Sequence, residues 1–172
     1  MYINIHMLKP FASVFGNARG RRIVATEFLR LGLRIDGNGK IYVGNIEVSP
    51  AKVGRALNVD RRVVIETAKA IANDDRLLQV FYRLESRAFI GNAARELGFD
   101  TVEIRADPRK KGIVASVTRV LAENGIVIRQ IISDDPDIFP DPVLTIIING
   151  KLDAGVIKKL KELRFATQIL IK

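Results

Sequence analysis

From Thr101 to Ala106 apolar and polar residues alternate, the period of a half-buried strand. The pattern breaks over Asp107 to Gly112. It resumes over Ile113 to Glu123, where Ile113, Val117, Val120 and Leu121 fall on one helical stripe. Asn124 and Gly125 end that helix, because glycine reaches the left-handed conformation cheaply. Ile126–Ile132 predicts a second strand. Asp134 to Pro142 is an acidic loop broken by prolines. Val143–Ile148 predicts a third strand, Leu152–Leu163 a second helix and Phe165–Ile171 a fourth strand. This β-α-β-β-α-β order is the split βαβ, ferredoxin-like arrangement. The third strand is apolar on both faces. Val143 and Ile147 point one way, and Leu144, Ile146 and Ile148 the other. Helices cover only one face of such a sheet. A second subunit, or the Leu77–Leu97 stretch of the same chain, would cover the other.

The first half has a helical period. Arg21–Leu33 reads as a helix on Val24, Phe28 and Leu31, with Gly32 near its end. Asp36 to Lys40 is a tight-turn signature between Ile35 and Ile41–Val43, which predicts a hairpin. Gly37 and Gly39 are turn residues and not a phosphate loop, since no helix opens after them. Ser49 and Pro50 mark a helix start by capping and by the fixed proline φ. That helix, Pro50–Leu57, stops at Asn58. Asp60 caps another, Arg61–Asn73. Val53, Leu57, Val59, Val64, Thr67, Ala68 and Ile71 are the inward positions, and Gly54 permits close approach. Two helices joined by a short turn make a helix-turn-helix. Asp74 and Asp75 predict the start of a further helix running to about Leu97, with Leu77, Leu78, Phe81, Leu84 and Phe89 as its apolar positions. The expected organisation is α+β: a basic helix-turn-helix domain with a hairpin at 1–73, a helical connector at 74–98 and a βαββαβ domain at 99–172.

Charge sharpens the picture. Residues 1–73 hold twelve Lys/Arg against five Asp/Glu, and residues 74–172 sixteen against fourteen, within a total of +9. A basic first part points to a polyanion such as DNA. The outer face of the helix after Asp60 carries Arg61, Arg62, Ile65, Glu66 and Lys69. Arginine can donate two hydrogen bonds to guanine, and an apolar side chain can meet a thymine methyl. Lys52, Arg55 and Lys69 would suit phosphates. Glu66 would read cytosine or pair with Arg62 one turn away. The same pattern also fits a helical hairpin with a solvated charged face.

Other chemistry is thin. The 172 residues contain no cysteine and one histidine, His6. Disulfides and thiolate metal sites are excluded, and no catalytic triad can be assembled on a well-placed histidine. No Walker loop or dinucleotide fingerprint appears. Enzymatic activity, a metal and a cofactor are therefore not expected. Asp134, Asp135, Asp137 and Asp141 lack calcium-loop spacing and read as a solvated acidic loop. Met1–Phe15 lacks the basic start and small-residue cleavage site of a signal peptide. No apolar run approaches the roughly 18 residues of a membrane span. The expectation is a cytoplasmic protein. The absence of cysteine and the wealth of arginine hint at a thermophile.

Asp107 and Gly112 to Val114, followed by Leu121 to Ile128, resemble an ACT domain. ACT domains are modules that bind amino acids and regulate enzymes or transcription. Together with Arg21 to Val24, Val59 to Val64, Ile128 to Ile131 and Asp134 to Pro136, the chain is similar to the predicted archaeal regulators of amino-acid metabolism, which pair a helix-turn-helix with an ACT domain. The resemblance implies an amino-acid effector near the turn after the first ACT strand, at Asp107, Lys111, Gly112, Ile113 and Asp134. The N–H groups near Gly112 and Ile113 would face a carboxylate. Asp107 or Asp134 would take the ammonium group. Lys111 stands where the family usually has proline, and Val127 where some members have an amide. The resemblance implies a homodimeric transcriptional regulator. The alternative is an allosteric subunit that binds a metabolic enzyme and not DNA.

Overall fold

The computed structural model describes residues 12–15, 18–107 and 109–172. His6 and most of the Met1–Phe15 stretch lie outside them. The chain forms two compact units, Met1–Arg87 and Ala88–Lys172.

In the first unit a short turn of helix, α1 (Ala12–Phe15), precedes α2 (Arg19–Leu31). Gly32 ends α2 at φ 63°, and its N–H and that of Leu33 return to Leu29 and Phe28. The chain then builds a small antiparallel sheet from β1 (Arg34–Ile35), β2 (Ile41–Val43) and β3 (Ile46–Val48). The hairpin over Asp36 to Lys40 is present, and β3 adds a strand that periodicity alone did not reveal. Helix α3 (Pro50–Leu57) follows, then α4 (Arg61–Ala72) and α5 (Asp75–Phe81).

Asn58 takes φ 53°, as its place after α3 requires. Asp60 caps α4 by accepting from the Arg62 N–H, and Asp74 caps α5 by accepting from Arg76 and Leu77. Ser49 departs from expectation. Its side chain makes no capping bond, and its carbonyl instead accepts from Lys52 and Val53. Pro50 sets the first turn, and proline needs no cap for its missing N–H.

Helix α4 is central to this unit and packs on α2, α3 and α5. Val64, Ala68 and Ile71 share one core with Val24, Phe28, Ile35, Ile41, Leu77 and Phe81. Gly54 is where α3 touches the turn into α4. A Cβ there would lie 2.8 Å from the Val59 carbonyl oxygen and 3.3 Å from the Arg61 Cα.

Helix α5 stops at Phe81 and does not run to Leu97. The residues after it serve other bonds. The Ser86 hydroxyl donates to the Leu31 and Gly32 carbonyls at the end of α2. Phe89 packs on Gly91, so closely that a Cβ there would strike its ring. The connector expected over residues 74–98 is thus divided. Leu77 and Phe81 belong to the first core, while Ala88 onward belongs to the second unit.

The second unit has strands β4 (Asp100–Ala106), β5 (Ile128–Ser133), β6 (Leu144–Ile148) and β7 (Ala166–Ile171), with helices α6 (Ile113–Glu123) and α7 (Ala154–Lys161). The sheet order is β5-β6-β4-β7, and every neighbouring pair is antiparallel. This is the ferredoxin-like fold, and the chain as a whole is α+β. Strand β5 starts two residues later than its apolar run. The Ile126 N–H closes α6 by bonding Leu121, and a bulge sets Arg129 apart from the ladder. Val102, Ile104, Leu144, Ile146 and Ile148 form the helix-facing core with Val117, Leu121, Val156 and Leu160.

Ile147 faces away from those helices and is fully buried. Its cross-strand neighbour Gln130 shares that face. The Gln130 amide donates to the Ala88 carbonyl and accepts from the Ile90 N–H. The segment Ala88–Gly98, with a 3-10 turn at Gly91–Ala93 and Ala94 buried, therefore lies over this end of the sheet. Of the two covers open to the apolar face, the same chain supplies one, though not as a helix.

Candidate functional site

Two places gather the residues singled out above. The first is the outer face of α4. Arg61, Arg62, Ile65, Glu66 and Lys69 are all exposed, as are Lys52 and Arg55 on α3. Positions 61, 62, 65 and 69 follow the helical repeat, so they lie along one side, opposite Val64, Ala68 and Ile71. Glu66 does not pair with Arg62. Its carboxylate accepts from Arg21 on α2 at 2.8 Å. Arg21 was missed as a member of this face. It lies 45 residues away, and only the packing of α2 on α4 brings it there.

The turn between β1 and β2 stands beside the same helix, since Gly39 approaches the Lys69 backbone. Asp36 holds that turn. One carboxylate oxygen accepts from the Asn38 and Lys40 N–H groups, and the other from the Tyr42 hydroxyl. Burial alone would raise the Asp36 carboxyl. The Lys40 and Asn38 N–H groups, the Tyr42 hydroxyl and the Lys40 charge outweigh it and hold the group below the usual carboxylate range. A depressed folded value means that the stabilisation is present above the unfolded pKa, about 3.9, and is lost as pH falls through the folded value. The stability gap between wild type and Asp36→Asn should therefore be constant near neutrality and shrink below about pH 4. Urea midpoints across that range measure it. A gap unchanged down to pH 2 would remove the carboxylate from the account.

The second place is a cavity of about 410 Å³ in the second unit. Gly112, Ile113, Val114 and Ala115 line it from the start of α6, and Asp134 lines it from the loop after β5. Helix α6 has no side-chain cap, so its first N–H groups remain open. Asp134 accepts from the Val143 N–H through one carboxylate oxygen. Of the residues expected here, Gly112, Ile113 and Asp134 meet at the cavity. Asp107 and Lys111 do not line it. The Asp107 carboxylate turns inward on its own loop to accept from the Arg109 N–H. Lys110 lines the cavity in place of Lys111. A one-residue offset in an irregular turn leaves no periodic trace.

The acidic loop is tied to its own backbone and to β4. Asp135 accepts from the Asp137 N–H, and Asp141 pairs with Arg105 at 3.0 Å. Among the described residues, no three His, Asp or Glu side chains gather as a metal site. Among them also, no helix is long and apolar enough to cross a membrane.

No protein-family model matches the chain, and no curated protein does. Among solved structures it is similar to the regulatory subunit of aspartate kinase from Thermus thermophilus in its ligand-free form. That match has 22% identity over 44% of this chain and 51% of the other, with a TM-score of 0.37. It is also similar to the protein PH0061, with 9% identity over 91% and 90% of the two chains and a TM-score of 0.29. The aligned region spans about half the length of the aspartate kinase subunit.

Proposed function

We propose that the chain is a DNA-binding transcriptional regulator that responds to an amino acid. The α4 face carries this reading. Three exposed cations and Ile65 lie on one side of a helix whose start packs closely on α3 at Gly54, and Arg21 neutralises the one carboxylate among them. A helix so presented suits the major groove, with Arg61 and Arg62 at its leading end. Arg62→Ala is expected to weaken specific binding by about 1–3 kcal/mol and to relax sequence preference. Lys69→Ala is expected to weaken binding to all sequences alike and to lower the salt slope by about one. Anisotropy titrations of duplex DNA at several salt concentrations test both. No binding at low salt by the intact chain would end the DNA reading and favour an allosteric subunit that docks on a metabolic enzyme.

The effector half of the proposal rests on the cavity. Open N–H groups at the start of α6 suit a carboxylate, and Asp134 across from them suits an ammonium group. A ligand that binds only the folded chain raises its melting temperature by linkage. At one hundred times Kd the gain is about 2.7 kcal/mol. A thermal-shift screen over the common amino acids should find at least one that stabilises the wild type and fails on Asp134→Ala. Twenty flat responses at millimolar concentration would leave the module without this role.

The proposed assembly is a homodimer, which would present two α4 helices to a palindromic site. Exposed Val127 and Ile131 near and on the edge strand β5 favour such pairing.

A further inference from the structure

In the first unit a cleft of about 290 Å³ is lined by Arg34, Gly44, Asn45, Tyr82, Arg83 and Glu85, among others. The Arg34 guanidinium lies 4.3 Å from the centre of the Tyr42 ring and 5.6 Å from that of Tyr82. It also donates to the Gly44 carbonyl at 3.4 Å. Two rings and a carbonyl thus hold in place a group whose forked donors match a phosphate in two-point contact. Arg83 lines the same cleft from the far side of Tyr82 in sequence, and its side chain has no partner among the described residues. Glu85 is the single acid in the lining, and Arg87 pairs with it. The cleft is therefore net cationic. Tyr82, at 54% exposure, is open to solvent and offers an aromatic ring on which a planar base can stack.

We propose that this cleft binds a phosphate ester, with Arg34 and Arg83 holding the phosphate and Tyr82 the group attached to it. The source is either a free nucleoside monophosphate or the backbone of a nucleic acid. The assignment stands on the cleft alone and does not depend on the role of α4.

The test uses amide NMR spectra of the full chain. Inorganic phosphate and adenosine monophosphate are titrated at constant ionic strength against chloride. Saturable shifts confined to residues 34, 44–45 and 82–86 are expected, with affinity about tenfold lower in Arg83→Gln, the loss of one charge-assisted contact. Arg83 is exposed and its side chain holds no structural bond, so this variant keeps the fold even if Arg34→Gln loosens the hairpin. Adenosine monophosphate that binds more tightly than phosphate, with the gain lost in Tyr82→Leu, identifies the free nucleotide as the source. Equal affinity for the two, with duplex binding weakened by Arg83→Gln, identifies the nucleic-acid backbone. Shifts that chloride reproduces, or that Arg83→Gln leaves unchanged, overturn the site. Duplex DNA that binds the chain without disturbing these residues overturns the backbone source while leaving the α4 reading intact.

Discussion

Gly54→Ala and Gly54→Val are expected to destabilise the first unit, the valine variant by about 2–3 kcal/mol. Two effects oppose each other at this position. In an open helix, alanine for glycine stabilises by about 1 kcal/mol. Here the new Cβ would stand 2.8 Å from the Val59 carbonyl oxygen, 3.2 Å from the Arg61 nitrogen and 3.3 Å from its Cα. All three are backbone atoms at the turn and the start of α4, and they cannot swing aside as a flexible side chain could. Steric crowding should therefore win over helix propensity. Urea unfolding followed by circular dichroism gives the size of the loss. Hydrogen exchange at α3 and α4 amides gives its place. A Gly54→Ala protein as stable as wild type would show that the two helices do not meet as described, and the proposed reading face would lose its support.

A second large effect is expected at Ile147. Ile146 and Ile147 are both fully buried but lie on opposite faces of the sheet. If Ala88–Gly98 of the same chain covers Ile147, then Ile147→Ala should cost about 2–4 kcal/mol, comparable to Ile146→Ala. The cost should not change with protein concentration. If a second subunit supplied the cover, the cost of Ile147→Ala would fall on dilution, because assembly stabilises by mass action. Gln130→Ala offers a milder probe of the same cover, since it removes both bonds to Ala88 and Ile90. Sedimentation equilibrium over micromolar concentrations then reads the dimer separately from the stability of the fold.

Much of the fold was legible from local pattern. Val117 and Leu121 lie on one stripe, and α6 spans Ile113 to Glu123 as that stripe requires. Asn58 and Asp60 mark the end of α3 and the cap of α4 by their own side-chain chemistry. The order of strands and helices in the second unit leads to one sheet topology, because few connections of that order are compact. Three features were not legible. The third strand, β3, is too short and too exposed to show a period. The chain after α5 is held where Ser86 meets the end of α2, a contact between residues more than fifty positions apart. The cover over Ile147 depends on Gln130 reaching Ala88 and Ile90.

The candidate sites divide in the same way. Exposure of Arg61, Arg62, Ile65 and Lys69 follows from their helical spacing once Val64, Ala68 and Ile71 are buried. That is a property of period, and the amino-acid sequence by itself determined it. Partnership is a property of position in space. The pairing of Glu66 with Arg21, the turning of Asp107 onto its own loop and the placing of Lys110 in the cavity all came from tertiary packing. So did the stacking of Arg34 between Tyr42 and Tyr82. The physical reason is the reach of the interactions. Hydrophobic period and capping act within a turn or two of helix, whereas ion pairs, ring stacking and cavities depend on which elements the core draws together.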